Sequence, residues 1–447
     1  MALGSALGAA SRLAGRGSGT VIGSRVSLAI DPGVLAGLAK GRRLALVSGT
    51  NGKTTTSKFL ASALQTRGPI AHNDGGSNLP GGVLSALAAR PGSDVGVLEV
   101  DEGWLPYVSS QVRPAVVALL NLSRDQLDRV SEVRNVARRW REMLEGAEGV
   151  SVVANCDDPI VAWAAMGCSS THWVAGGQPW RSDATGCPSC GGQILYDPGS
   201  WHCGSGCGLQ RPEPAAWLDG SDLVVRGDRI PIALKVPGAF NRANAAIAAM
   251  AAELMGVSVR DALSAMSEVA EVAGRYDVVE IPNAPFGLEA RLLMAKNPAG
   301  WVEMFDLVAP PPAPVVVAVN ARVADGRDPS WLWDVPFEKL AGRFVVASGD
   351  RWRDLSVRLL YAEVDHVGMP SVPDAVLEAA RRHRLPGETD PKAIRVEVVA
   401  NYTAFQDLRR SLAQPEWRRF LPWRKAAIPG VAMPASGSER PQSEVGR

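Results

Sequence analysis

Eight consecutive residues, GTNGKTTT (Gly49 to Thr56), constrain this 447-residue chain more than any other feature. They close an apolar run, RRLALVSGT (Arg42 to Thr50), and lead into SKFLASALQTR, which has helical spacing. A strand, a glycine turn and a helix in that order make a phosphate cradle. Glycines let backbone N–H groups curl around phosphate oxygens, and the helix N-terminus adds a favourable dipole. Lys53 is placed to pair with the β- and γ-phosphates, and the Thr54 hydroxyl to join a Mg²⁺ shell. The first glycine of the GxxxxGK[ST] pattern is absent, with Val47 in its place, so Gly49 opens a shorter variant. An ordinary glycine turn is the alternative, and it leaves the flanking strand and helix unexplained. Gly49, Thr50, Asn51, Gly52, Lys53, Thr54 and Thr55 are therefore the candidate ATP-binding residues.

The same alternation continues downstream. DVGVLEVD (Asp94 to Asp101), AVVALLNL (Ala115 to Leu122) and GVSVVANC (Gly149 to Cys156) read as buried parallel strands, with SEVRNVARRWREMLEG as a helix between two of them. This pattern predicts βαβ units and a doubly wound α/β sheet. NRANAAIAAMAAELMG reads as a helix ended by Gly256. A second α/β pattern starts near PNAP (Pro282 to Pro285), with PAPVVVAVN, RFVVASG and IRVEVVANY as strands. The expected organisation is an N-terminal segment, 1–40, and a central P-loop ATPase domain, 41–282, with an insertion at 183–210. A smaller, Rossmann-like α/β domain over 283–428 and a disordered Pro/Ser/Gly/Glu-rich tail over 429–447 complete it.

Charge and hydropathy exclude several classes of partner. A formal net charge of +1 gives no bulk attraction to nucleic acid or to an anionic membrane. No stretch approaches the roughly 18–20 apolar residues a membrane span needs. The N-terminal apolar run is too weak for a secretory signal, and Arg12 and Arg16 fall after it. The expected location is cytoplasmic.

Of six cysteines, Cys156 and Cys168 stand alone and read as small buried hydrophobes. Cys187, Cys190, Cys203 and Cys207 form C-x2-C-x12-C-x3-C, the layout of a tetrahedral four-thiolate zinc ribbon. Four protein ligands leave no open position, so the expected Zn²⁺ is structural. His202 is a competing ligand by position, and two disulfides are the alternative that a reducing compartment disfavours. The insertion shows no basic–aromatic interleaving of the kind nucleic-acid ribbons carry.

G-T-N-G-K-T-T resembles the nucleotide loop of the Mur ligase superfamily, and further segments resemble that family in order. LEVDEG places Glu99 where the family has a Mg²⁺ carboxylate; Asp101 and Glu102 follow it, and for Asp101 a solvated acidic loop is the favoured reading. NLSRDQLDR (Asn121 to Arg129) resembles N-x-x-x-D-H-L-D, with Gln126 replacing the histidine that helps hold a second metal. NCDDP (Asn155 to Pro159) follows a strand; GAFNRANAAIA places Asn241 at an adenine edge, and AGRYD places Arg275 at a phosphate.

The loop begins by residue 49, which leaves no room for the UDP-sugar-binding first domain of ordinary Mur ligases. LLMAKNPAGW (Leu292 to Trp301), NARVADGRDPSWLWD (Asn320 to Asp334), SGDRWRDLSVRLLYA (Ser348 to Ala362) and VVANYTAF (Val398 to Phe405), with the ribbon, resemble the MurT family of ligase subunits. That resemblance implies ATP-dependent amidation, through an acyl phosphate, of the D-glutamate α-carboxylate in the lipid II stem peptide, giving D-isoglutamine. It also implies a GatD-like glutamine amidotransferase partner, because nothing in this chain reads as a glutaminase. In the family an aspartate completes the partner's Cys–His pair. Asp328 is the candidate here, with Asp325 and Asp334 behind it, and capping of the turn before Pro329 is its structural alternative. Lys296, where the family has His or Thr before Asn-Pro, stays outside the catalytic set. Two other readings compete. A folylpolyglutamate-synthase-like ligase would not account for the ribbon, and a zinc-ribbon P-loop nucleic-acid binder would not account for the near-neutral charge.

Overall fold

Short runs of Val, Leu and Ala build two sheets, each covered by helices on both faces. The computed structural model describes Ser24 and residues 27–74, 76–124, 130–270, 276–281, 288–383 and 394–413. The expected disordered tail, and residues 1–23 of the N-terminal segment, lie outside the described residues.

The first sheet has nine strands: β1 (Arg43–Ser48), β2 (Ile70–His72), β3 (Val95–Glu99), β4 (Val116–Leu119), β5 (Ser151–Asn155), β6 (Thr171–Ala175), β9 (Ala216–Asp219), β10 (Asp222–Val225) and β11 (Asp228–Pro231). Their spatial order is β11-β10-β9-β6-β5-β4-β1-β3-β2, parallel from β2 through β9. The two-residue period of a strand splits its side chains between two cores. Ala45, Val47, Val97, Ala118 and Val153 pack under the helices Lys53–Gln65, Ala239–Leu254 and Val259–Ser267. Leu44, Leu46, Leu98, Leu119 and Ala154 face the helices Pro80–Ala89, Leu105–Val112, Val130–Glu145 and Pro159–Ala165. Both faces are dry, which explains why these strands read as continuous apolar runs.

Not all of this sheet is parallel. Strands β9, β10 and β11 form an antiparallel meander that hydrophobic runs alone did not indicate. Its second turn, Arg226-Gly227, has both residues at positive φ (52° and 87°), which suits a right-twisted hairpin. Inserted before it is the hairpin β7 (Ile194–Asp197) and β8 (Ser200–Cys203), with Cys187 and Cys190 just before it, Cys203 at its end and Cys207 just after it.

The second sheet, β12 (Tyr276–Glu280), β13 (Leu288–Met294), β14 (Val315–Ala318), β15 (Phe344–Ser348), β16 (Asp365–Met369) and β17 (Ile394–Ala400), has the order β12-β13-β17-β14-β15-β16. Five strands are parallel and β12 is antiparallel. This sheet starts upstream of the boundary expected near 282, because Tyr276–Glu280 pairs with β13. Its half-exposed YDVVE pattern is that of an edge strand, weak in any reading of apolar runs. Under the sheet, Trp301 stacks on Trp331 at 5.6 Å and meets Phe305 at 5.8 Å. The segment around Trp331 is a 3-10 turn, Pro329–Trp333, which buries Trp331 and leaves Trp333 54% exposed.

Candidate functional site

Strand β1 ends at Ser48 and the helix Lys53–Gln65 begins after four intervening residues, so Gly49–Gly52 must reverse direction in one tight loop. Gly52 sits at φ 84°, and a side chain there would collide with Asn244 Oδ1 at 2.5 Å. The loop is fastened on both sides. Asn121 accepts from the Thr50 N–H with its carbonyl (2.9 Å) and from the Asn51 N–H with its side chain (2.9 Å), and it donates to the Asn51 carbonyl (3.1 Å). Thr50 Oγ1 bonds both the N–H and the carbonyl of Ser123.

A cavity of about 570 Å³ opens above this loop, between the two sheets. Thr50, Asn51, Lys53, Thr54, Thr55, Glu99 and Asn241 all line it, so most of the expected nucleotide residues converge. Lys53 is buried, and its ammonium donates to the carbonyls of Gly49 and Thr50 and pairs with Glu102 at 2.9 Å. Glu102 is thus a site residue rather than part of a solvated loop. Trp140, fully buried, donates its indole N–H to the Glu102 carbonyl (2.9 Å) and holds that turn in place. Asn241 lies in the first turn of the helix Ala239–Leu254; its amide donates to the Pro237 carbonyl and accepts from Asn244.

Glu99 is the informative carboxylate. It is 2% exposed, and its Oε1 has only a long bond from Asn78 (3.4 Å), while Oε2 has no hydrogen-bond partner. A buried carboxylate oxygen without a donor is costly unless something positive completes it. Set across one cavity from Thr54, it has the hard-oxygen chemistry that Mg²⁺ selects.

The second sheet supplies what sequence reasoning passed over. Asn297 and Asn51 exchange amide hydrogen bonds at 3.2 and 3.1 Å, although 246 positions separate them. Asn297 also caps its own helix, accepting from the Gly300 N–H at 2.9 Å. Lys296 lines the same cavity with its ammonium 5.5 Å from the Tyr402 ring centroid. Phe240, Tyr276, Leu293 and Met294 form an apolar wall. Arg275, Gln126 and the rest of the Asp125–Arg129 stretch lie outside the described residues.

Two expected features lie elsewhere. Asp328 is not among the cavity's lining residues; it accepts from the Ser330 N–H (2.9 Å), which holds its carboxyl below the ordinary range. Asp325 is engaged by the N–H and hydroxyl of Thr403, and Asp334 lies 3.6 Å from Arg124. The four cysteine sulfurs all lie within 4.8 Å of one another. Sγ separations of 3.7 Å (Cys187–Cys207) and 3.5 Å (Cys190–Cys203) match the roughly 3.8 Å edge of a tetrahedron with 2.3 Å metal–sulfur bonds. His202 instead pairs with Asp197 at 3.1 Å. Cys156 and Cys168 are buried, as expected of small hydrophobes.

A family model for the Mur ligase middle domain matches residues 47–175, and one for the MurT ligase C-terminal domain matches residues 294–405. The chain belongs to the Mur ligase superfamily. Within it, subunit MurT of the lipid II isoglutaminyl synthase (glutamine-hydrolyzing) of Staphylococcus aureus (strain N315) is 29% identical over 382 residues, 80% of this chain and 86% of that protein. The Streptococcus pneumoniae (strain ATCC BAA-255 / R6) MurT subunit is 26% identical over 429 residues, 89% of this chain and 93% of the relative. A pseudomurein peptide ligase type C from Methanothermus fervidus shares the fold, with TM-score 0.64, 19% identity, and coverage of 83% of this chain and 78% of that one. This Mur ligase is therefore of the MurT kind, and it is an ATP-dependent ligase. No helix among its described residues is long and apolar enough to cross a membrane.

Proposed function

We propose that this Mur ligase amidates the D-glutamate α-carboxylate of the lipid II stem peptide, at the cytoplasmic face of the membrane, with ammonia delivered by a GatD-like glutaminase subunit. The observation that carries the reading is the unpartnered Oε2 of Glu99, facing one cavity with Lys53 and Thr54. A carboxylate is a poor electrophile, so it must first gain a leaving group. A carboxylate oxygen attacks the γ-phosphorus of ATP and ADP departs; ammonia then attacks the acyl carbon, phosphate leaves, and a proton is lost from nitrogen. Lys53 neutralises the moving charge, and the loop N–H groups hold the phosphates in line. Glu99 and Thr54 are the residues that would hold Mg²⁺, which when bound polarises the phosphoryl oxygens. Asn241 and the apolar wall of Phe240 and Leu293 suit an adenine ring, and Arg275 is proposed as a further phosphate contact.

The partner reading rests on Asp328. Asp325 is already engaged by Thr403 and Asp334 is half-buried 3.6 Å from Arg124, whereas Asp328 is exposed. The turn it caps ends at Trp333, which packs edge-on against exposed Tyr361 at 5.3 Å, with Val357 and Leu360 also exposed on the same helix. An apolar patch beside an available carboxylate suits a subunit whose histidine that carboxylate would orient. The four thiolates suit a structural zinc.

Co-expression with the candidate glutaminase, followed by mass analysis of lipid II, tests the function. ATP-dependent conversion of carboxyl to amide is expected, and no amide from either glutamine or ammonium rejects it. Asp328→Asn should abolish glutamine use and spare ammonium use. Equal loss with both donors would give Asp328 a ligase or folding role.

A further inference from the structure

The ribbon hairpin does not lie flat on the sheet. Between it and the ends of β6 and β9 is a second cavity, about 560 Å³ in volume. Trp217, on β9, lines it and is 40% exposed, large for an aromatic ring in a sheet strand. Around the ring stand flat polar groups. Arg211 Nε bonds Asp157 Oδ1 at 2.7 Å, Asp157 Oδ2 accepts from the Gly177 N–H at 2.6 Å, and Gln178 and Glu213 complete the wall. The walls are fixed in advance, because Trp201 is buried beneath the hairpin with its indole N–H on the Cys156 carbonyl (2.9 Å).

The charge of this lining is balanced. Arg181 and Arg211 stand against Asp157 and Glu213, so no net field selects a phosphate or a carboxylate. An aromatic face surrounded by paired, planar donors and acceptors instead fits a neutral, polyhydroxylated ring. Between this cavity and the nucleotide site lies a third, much smaller one. A neck of about 50 Å³ is lined by Gly176, Gly177 and Gln178, shared with the ribbon cavity, and by Asn51, Phe240 and Glu303, shared with the nucleotide cavity.

We infer that the ribbon-walled cavity is a saccharide subsite, holding a pyranose ring of the acceptor on Trp217 while the attached peptide runs along the neck to the phosphate loop. This rests on the proposed function in one respect, that the acceptor is a glycopeptide. It gives the cysteine ribbon a role in substrate recognition, as one wall of a grip on the sugar.

The test uses the full chain with ammonium as nitrogen donor and two acceptors, a muramoyl-type glycopeptide and the same peptide without sugar. Trp217→Ala should raise the KM for the glycopeptide about tenfold, with kcat and the KM for bare peptide unchanged, and Trp217→Phe should restore most of the loss. ATP affinity and bound metal, measured on each variant, exclude misfolding. In parallel, ligand-observed NMR with a free N-acetylated disaccharide should show saturation transfer from the wild-type chain and little from Trp217→Ala. Equal KM changes for both acceptors, or no change, overturn the subsite, as does transfer to uridine but not to the disaccharide. If wild-type chain amidates neither acceptor, the proposed function fails, while the disaccharide titration still decides this inference on its own.

Discussion

Asn297 ties the second sheet to the nucleotide loop, and cutting that tie should weaken nucleotide binding without touching a phosphate ligand. Its side chain makes three bonds: two with the amide of Asn51 and one with the Gly300 N–H. A neutral buried hydrogen bond contributes about 1 kcal/mol net, and an N-cap about 1 kcal/mol. Asn297→Ala therefore loses about 3 kcal/mol, of which about 2 kcal/mol belong to the bridge. Asn297→Ser separates the two, since serine caps a helix about as well as asparagine yet is too short to reach Asn51. The nucleotide cavity has walls from both sheets and the bridge holds those walls together, so a ligand that contacts both should bind more weakly when it is cut. The expected result is about thirtyfold weaker binding of a Mg²⁺–ATP analogue for Asn51→Ala and for Asn297→Ser, measured by calorimetric titration. The double variant should bind no worse than either single, a coupling of about 2 kcal/mol. Losses that add to about a thousandfold, or singles that bind as wild type, would refute the bridge as a closing contact.

Three further outcomes are expected. Glu99→Gln keeps the shape of the side chain and removes its charge, so Mg²⁺-dependent turnover should fall roughly a hundredfold, while a metal-free nucleotide titration stays unchanged; turnover equal to wild type would deny the carboxylate a metal role. Cys190→Ser should lose the stoichiometric zinc that elemental analysis is expected to find in the wild-type chain, and wild-type protein purified without zinc would end that reading. Asp158 is fully buried, and burial pushes it up to about 6 from an ordinary 3.8 despite its bonds from Leu122, Ile160 and Val161. Its folded-state pKa is raised, so the stability it contributes is complete below about pH 4 and is lost as pH rises through about 6, by about 3 kcal/mol. The Tm gap between wild type and Asp158→Asn should shift in the variant's favour over that interval, and a constant gap would show that Asp158 does not titrate there.

What was legible in the sequence is what is local in the chain. Gly49 to Thr55 are contiguous, and the four cysteines fall within 21 positions, so their convergence in space could be read from spacing. The buried parallel strands were legible because both faces are dry. The meander β9–β11 was not, since its signal lies in the turn Arg226-Gly227 rather than in hydropathy. Glu102 stayed open between a site residue and a solvated loop because its partner, Lys53, lies 49 positions away at the start of a helix. Asn297 was passed over in favour of its neighbour Lys296, although Asn before Pro is an N-cap pattern; nothing in the linear chain indicated that the cap would also reach Asn51.

The position of the site follows from how the two sheets are wound. In the first, the chain steps from β1 outward to β2, returns to β3, then crosses to β4 on the other side, so the order reverses at β1 and its carboxyl end opens a crevice. In the second, the carboxyl end of β13, Leu293 to Lys296, faces the same crevice. Each strand end feeds a helix. The helix Lys53–Gln65 starts at the loop, the helix Pro298–Leu307 starts at Asn297 bonded to that loop, and the helix Ala239–Leu254 starts beside Asn241 on the cavity wall. Each N-terminus carries about half a positive charge in unpaired N–H groups. Three of them at one cavity, with Lys53 and Lys296 in its lining, make a field suited to a polyphosphate. Against that field, Glu99 is repulsive to the phosphates unless a cation lies between, whereas Glu102 is already paired with Lys53 at 2.9 Å. The same arrangement that suits a triphosphate therefore favours a cation beside Glu99.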